Sequence, residues 1–247
     1  SPTATRSSTS MGDTTIWERR SASLDGRYKK RNNMKKLGFI ALLCWFCICT
    51  YAAVDATAVA LLDKTSNIYK QSTGTELTLK ISIDDAQSGQ SQTVNGTLKT
   101  RDKRFVLSTS FATMNFDGKT LYIYQPDVNE ITISQPATEE LDDIDPTQII
   151  TTYNSGFQIP APEYSQENGK EIATVNLFPE DRNEDYFKLS IKIDTQTYCP
   201  IQISTHGKNG MVNTIDIINL KTNQNFSDKE LDFNLKDYPK AQIIDIR

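Results

Sequence analysis

The chain has 247 residues, with 27 Lys and Arg against 31 Asp and Glu, one His and four Cys, for a formal charge of −4. Apolar residues make up 37% of it and Gly with Pro only 20 positions, which excludes collagen-like and wholly disordered chains. The single histidine, His206, excludes a multi-histidine metal site, and the charge gives no uniform basic field for nucleic acid.

Charge is unevenly spread. Residues 1–52 carry nine basic and three acidic side chains, leaving 18 basic and 28 acidic in 53–247, a formal −10. Residues 1–33 are polar and precede Met34, and they read as a leader or mis-assigned start outside the fold. Met34-Lys35-Lys36 then opens an uncharged, mostly apolar run of 14 residues from Leu37 to Thr50, followed by Ala52 and Ala53. These are the parts of a secretory signal peptide over 34–52, with cleavage near Ala52 or Ala53. At about 1.5 Å per residue the run makes roughly 21 Å of helix, short of the ~30 Å hydrocarbon core. A lipoprotein signal needs a small residue before the modified Cys, whereas Leu43, Phe46 and Ile48 precede Cys44, Cys47 and Cys49. The expectation is therefore one exported domain, 53–247. Its only thiol, Cys199, has no internal disulfide partner.

The elements of that domain follow in order. Val54–Thr73 reads as a helix: Ala58, Leu61, Leu62, Thr65, Ile68 and Tyr69 recur at helical spacing, Asp55 is a natural N-cap and Gly74 ends the run. From Glu76 the period becomes two, with Leu77, Leu79, Ile81 and Ile83 on one face. Strands follow over Gln92–Thr100, Arg104–Ser110 and Phe111–Phe116. Asp117-Gly118 reads as a two-residue hairpin turn into Thr120–Gln125, and Pro126–Asn129 turns the chain again into Glu130–Ser134. The turns leave no room for crossover helices, so the sheet is an antiparallel meander. Pro146 opens a short helix carrying Ile149, Ile150 and Tyr153, and Gly156–Gly169 reads as a loop. Period two resumes over Glu171–Phe178 and Phe187–Ile193, then Pro200–Thr205 and Met211–Leu220 form a hairpin and Glu230–Leu235 a last strand. The fold class is mainly β with a helical cover: a long antiparallel sheet curling into an unclosed half-barrel under two helical segments.

Reactive constellations are scarce. His206 sits beside Gly207 at a hairpin end, Cys199 precedes Pro200 without a sign of activation, and the acids of 139–145 lack the spacing of a calcium loop. There is no G-x-S-x-G, dinucleotide fingerprint or P-loop, although paired carboxylates for glycoside chemistry stay open. No catalytic residue, metal or cofactor is expected. If the Asp117-Gly118 turn has two residues, Phe116 pairs with Lys119, Met114 with Leu121 and Ala112 with Ile123. One face then holds Met114, Leu121 and Ile123, joined by Phe105 and Leu107, while Tyr122 and Tyr124 point outward. That aliphatic face either lines a cavity or packs beneath the helices as solid core, and the residue pattern leaves both open.

The stretch Phe116-Asp-Gly-Lys-Thr-Leu-Tyr-Ile-Tyr-Gln-Pro-Asp-Val-Asn-Glu-Ile-Thr-Ile-Ser134 resembles the "DGKTLW-Y-P" hairpin of the LolA family of periplasmic lipoprotein carriers. Gly96–Phe105 resembles that family's "G-x-L…R-P-x-x-F" segment. The resemblance implies an apolar cavity for lipoprotein acyl chains, loaded by an inner-membrane ABC exporter and emptied to an outer-membrane acceptor. It makes Phe105, Leu107, Met114, Leu121 and Ile123, with Leu61, Leu62, Ile149 and Ile150 from the lid, the expected acyl contacts, and Arg101 the expected lid latch. A monomeric, non-enzymatic protein without nucleic-acid partners is expected. The alternatives are a lipid sensor of the same fold, an acidic interaction module with a filled core, and a hydrolase.

Overall fold

The computed structural model describes residues 54–136, 150, 153 and 155–247. Helix α1 spans Ala56–Lys70. Its N-cap Asp55 accepts from the amides of Thr57 at 2.9 Å and Ala58 at 3.0 Å, satisfying two donors that a helix start leaves orphaned. The helix stops at Lys70 rather than Thr73, because the Ser72–Gly74 turn takes over: Ser72 Oγ donates to the Gly74 carbonyl at 2.6 Å. A Cβ on Gly74 would lie 2.5 Å from the Gln224 carbonyl oxygen, so this close approach requires glycine.

Thirteen strands follow among the described residues: β1 (Thr75–Asp85), β2 (Gln90–Arg101), β3 (Arg104–Thr109), β4 (Thr113–Phe116), β5 (Leu121–Gln125), β6 (Glu130–Ser134) and β7 (Phe157–Gln158). They continue as β8 (Glu163–Glu167), β9 (Lys170–Pro179), β10 (Tyr186–Asp194), β11 (Pro200–Gly207), β12 (Met211–Lys221) and β13 (Gln242–Asp245). The order is β13-β6-β5-β4-β3-β2-β1-β12-β11-β10-β9-β7, with β8 also on β9. Two antiparallel meanders thus meet where β1 pairs with β12, and the path does not close on itself. Among the described strands only β13 is parallel to its neighbour, β6, which the chain reaches by a crossover through residues 222–241. Among the described residues no helix is long and apolar enough to cross a membrane.

Local readings are corrected in three places. The loop after β4 has four residues, because Asp117 folds inward: its Oδ1 accepts from the amides of Lys119 and Thr120, both at 2.8 Å. Phe116 therefore pairs with Leu121 and Met114 with Ile123, a slip of two that leaves every side chain on its expected face. Residues 156–169 contain β7 and β8, two short strands on β9. Glu230–Leu235 is no strand. Ser227 instead opens a helical turn, α2 (Asp228–Leu231), where its amide and hydroxyl donate to Glu230 Oε2 at 3.0 and 2.9 Å. A 3-10 turn over Leu235–Asp237 precedes β13.

The core has two parts. Beneath α1, Ala58, Leu61 and Leu62 pack with Ile150, Tyr153 and the inward residues of β9–β11, including Val175, Leu189, Ile191 and Ile203. The second part joins Leu77, Leu79, Leu98, Phe105, Leu107, Phe116 and Leu121 on β1–β5. Tyr69 and Ile217 pack against both.

Candidate functional site

Strand register lays the inner apolar face out in rows. One row runs Leu77, Leu98, Leu107, Met114 and Ile123 across β1 to β5. Beside it lie Phe105, Phe116 and Leu121, with the two phenyl rings 5.7 Å apart. A third row crosses the junction of the meanders: Val175, Ile191, Ile203, Ile215, Ile81 and Val94. The face is continuous because β1 carries Leu77, Leu79 and Ile81 at alternate positions and an extra residue on β12, Ile218, sets Leu220 opposite Leu77 while Ile217 and Ile215 stand opposite Leu79 and Ile81.

Phe105, Leu107 and Leu121 are buried within the second core, while Met114 and Ile123 are half-buried at its margin with Ile81, Ile215 and Leu220. Leu61, Leu62 and Ile150 belong to the core beneath α1. The expected contact set is thus divided between two cores, and Tyr69 of α1 is the helical side chain that touches both. Ile149 lies outside the described residues. Tyr153 donates a hydrogen bond to Asp63 of α1. Burial first, and the Asp63 carboxylate next, push its phenol above the ordinary 10.0.

Arg101 faces a different partner from the one expected. Its guanidinium donates to the Phe226 carbonyl and to Asp228, and Arg104 donates to Asp228 at 3.1 Å and to Asp232. Lys99 adds an ion pair to Glu230 at 3.2 Å. The cause is position: Arg101 and Arg104 flank the β2–β3 turn, opposite the start of the C-terminal segment. Arg101 first and Arg104 next hold Asp228 below its ordinary 3.8.

That segment also covers the outward tyrosines. Tyr122 stacks on Phe233 at 4.9 Å, Phe233 on Tyr238 at 5.1 Å, and Tyr124 meets Tyr238 at 4.3 Å. Asn115 donates to the Leu231 carbonyl at 2.9 Å, and Leu231 is fully buried. The signal for this cover was the Ser-x-x-Glu of 227–230 followed by Leu231, Phe233 and Tyr238.

A separate groove of about 450 Å³, with polar and apolar surface in near-equal parts, lies along the C-terminal half of α1, between Lys64, Asn67, Ile68 and Gln71 on one side and Tyr198, Thr222 and Asn223 on the other. His206 sits on β11 with its ring 6.0 Å from that of Phe187, and burial lowers its pKa below the ordinary 6.5. Cys199 is a half-buried free thiol. Among the described residues no three His, Cys, Asp or Glu side chains gather as a metal site.

Residues 48–208 match the family described as "Outer membrane lipoprotein carrier protein LolA". In fold, the chain is similar to an uncharacterized conserved protein from Thermus thermophilus, with a TM-score of 0.51 at 11% identity, covering 77% of this chain and 99% of that one. It is also similar to a LolA superfamily protein from Nitrosomonas europaea (TM-score 0.40, 11% identity, 71% and 97% covered). The Mycobacterium tuberculosis lipoprotein LppX gives a TM-score of 0.43 at 10% identity, with 72% and 100% covered. No curated protein matches the sequence.

Proposed function

This chain belongs to the LolA family of outer membrane lipoprotein carriers, and from that premise we propose that its folded domain is a non-enzymatic periplasmic carrier of acyl chains. The carrying observation is the inner face: apolar rows over β1–β5 and one that crosses from β9 to β2 through the junction, with a half-buried margin of Ile81, Met114, Ile123, Ile215 and Leu220. Cargo reaches this face by separating α1 from the junction at Tyr69 and Ile217, where the two cores meet. A C16 chain carries about 15 CH₂ and CH₃ groups, and at roughly 0.8 kcal/mol each its full burial is worth on the order of 12 kcal/mol. Water therefore holds the chain on the face, and release requires that burial be partial. The protein's own apolar side chains reclose the face when cargo leaves, which lowers the net affinity. In this reading the donor is an inner-membrane ABC lipoprotein exporter and the receiver an outer-membrane acceptor.

The test is extraction of the purified protein and mass spectrometry of the acyl species released, alongside displacement of a fluorescent fatty acid. Stoichiometric acyl species are expected, and Met114→Asp should weaken fatty-acid binding at least tenfold. Absence of both extracted acyl species and fatty-acid binding overturns the proposal.

A further inference from the structure

The groove beside α1 differs in chemistry from the apolar face. Lys64 is its only charged lining residue, and none of the ion pairs among the described residues includes it. Its ammonium donates to the Tyr198 hydroxyl at 3.0 Å and lies 4.2 Å from that ring's centroid. Other described lysines, Lys70, Lys103 and Lys119 among them, also stand outside any ion pair among the described residues; Lys64 is the one that lines this groove. The side-chain amides of Asn67, Gln71 and Asn223 line the same space, and no hydrogen bond to another described residue engages them. Lys70, in the last turn of α1, offsets the negative end of the helix dipole nearby.

The walls are fixed in advance. Thr65 Oγ1 donates to the Tyr198 carbonyl at 2.9 Å, which pins the β10–β11 turn to α1, and the backbone N–H of Asn223 donates to Ser72 Oγ at 2.8 Å. Tyr198 lines the groove and also packs on the core beneath α1. On α1, Ile68 faces the groove and its neighbour Tyr69 bridges the two cores. The groove thus lies on the flank of α1 next to the one that bears Tyr69.

We propose that this groove receives the phosphate-bearing head of an amphiphile, with Lys64 as counter-ion and the three amides as further donors. A tetrahedral phosphate presents acceptor oxygens in several directions, which suits donors arriving from α1 and its C-cap on one side and from the segment after β12 on the other. A groove of about 450 Å³ accommodates a phosphoglycerol head. The inference rests on the acyl-carrier reading, and it makes the cargo anionic as well as apolar.

The full chain is titrated by calorimetry with a lysophosphatidylglycerol below its micellar concentration, with a monoacylglycerol of the same chain length, and with glycerol phosphate. The anionic lipid should bind at least tenfold more tightly than the neutral one. Lys64→Gln should bring it to the neutral lipid's level, and Lys64→Arg should restore the preference. Circular dichroism and melting temperature verify that both variants fold, since Lys64 lies on an exposed helix surface. Equal binding of both lipids to the wild type, or a preference that survives in Lys64→Gln, overturns the head-group site and leaves the acyl reading standing. Binding of glycerol phosphate alone, lost in Lys64→Gln, supports the site while removing the acyl reading. Binding of none of the three overturns both.

Discussion

Leu62 is fully buried between α1 and the β9–β11 half of the sheet. Leu62→Ala should therefore cost about 2–5 kcal/mol, through lost burial and the cavity left behind, read as a lower urea midpoint at unchanged slope. Asp228 is a different case, since its position depends on charge. A carboxylate held below its ordinary value contributes stability that is present above that value and lost as pH falls through the lower, folded one. Acidification below about pH 4 should thus loosen the C-terminal segment before the sheet, seen as a lower exchange protection factor of the Asp232 amide, which donates to the Asp228 carbonyl at 2.8 Å. Arg101→Leu should produce that loosening at neutral pH and leave α1 amides protected. Faster exchange in α1 instead would restore Arg101 to the helical cover.

The C-terminal segment is an element that holds by stacking as much as by ion pairs. Phe233 is the middle ring between Tyr122 and Tyr238, so Phe233→Ala removes two ring contacts. At about 0.5–1.5 kcal/mol per pair, the loss should be about 1–3 kcal/mol in chemical denaturation. At the start of α1, Asp55→Ala strips two amides of their acceptor and should cost about 1 kcal/mol. The β4–β5 loop shows what alternation alone secures. Its register moved by two residues, yet Met114, Leu121 and Ile123 kept their shared face, because the side-chain period of a strand is itself two.

For the whole molecule, the sheet's edges matter most. β13 lies along β6, and the segment before it covers Tyr122 and Tyr124, which share the outer face with the buried Ile131 and Ile133. A chain ending at Asn225 would bare that apolar face and turn β6 into an open edge. Such a truncation should self-associate and bind the dye ANS, measured by light scattering and fluorescence, whereas the full chain should not.

The sequence by itself determined the helix, most strands, their inward faces and the kinship with LolA carriers, because alternation, caps and turns act over a few residues. It also placed Phe105, Leu107, Met114, Leu121 and Ile123 together, since consecutive hairpins make them near neighbours along the chain. Only the tertiary structure decided that β1 and β12 join the two meanders, that Leu61 and Leu62 serve the other core, and that Arg101 grips Asp228. Each of these joins residues nearly ninety or more positions apart. Nothing in a local pattern selects such partners; what selects them is the burial of each apolar face against the surface that completes it, and that requires the whole chain at once.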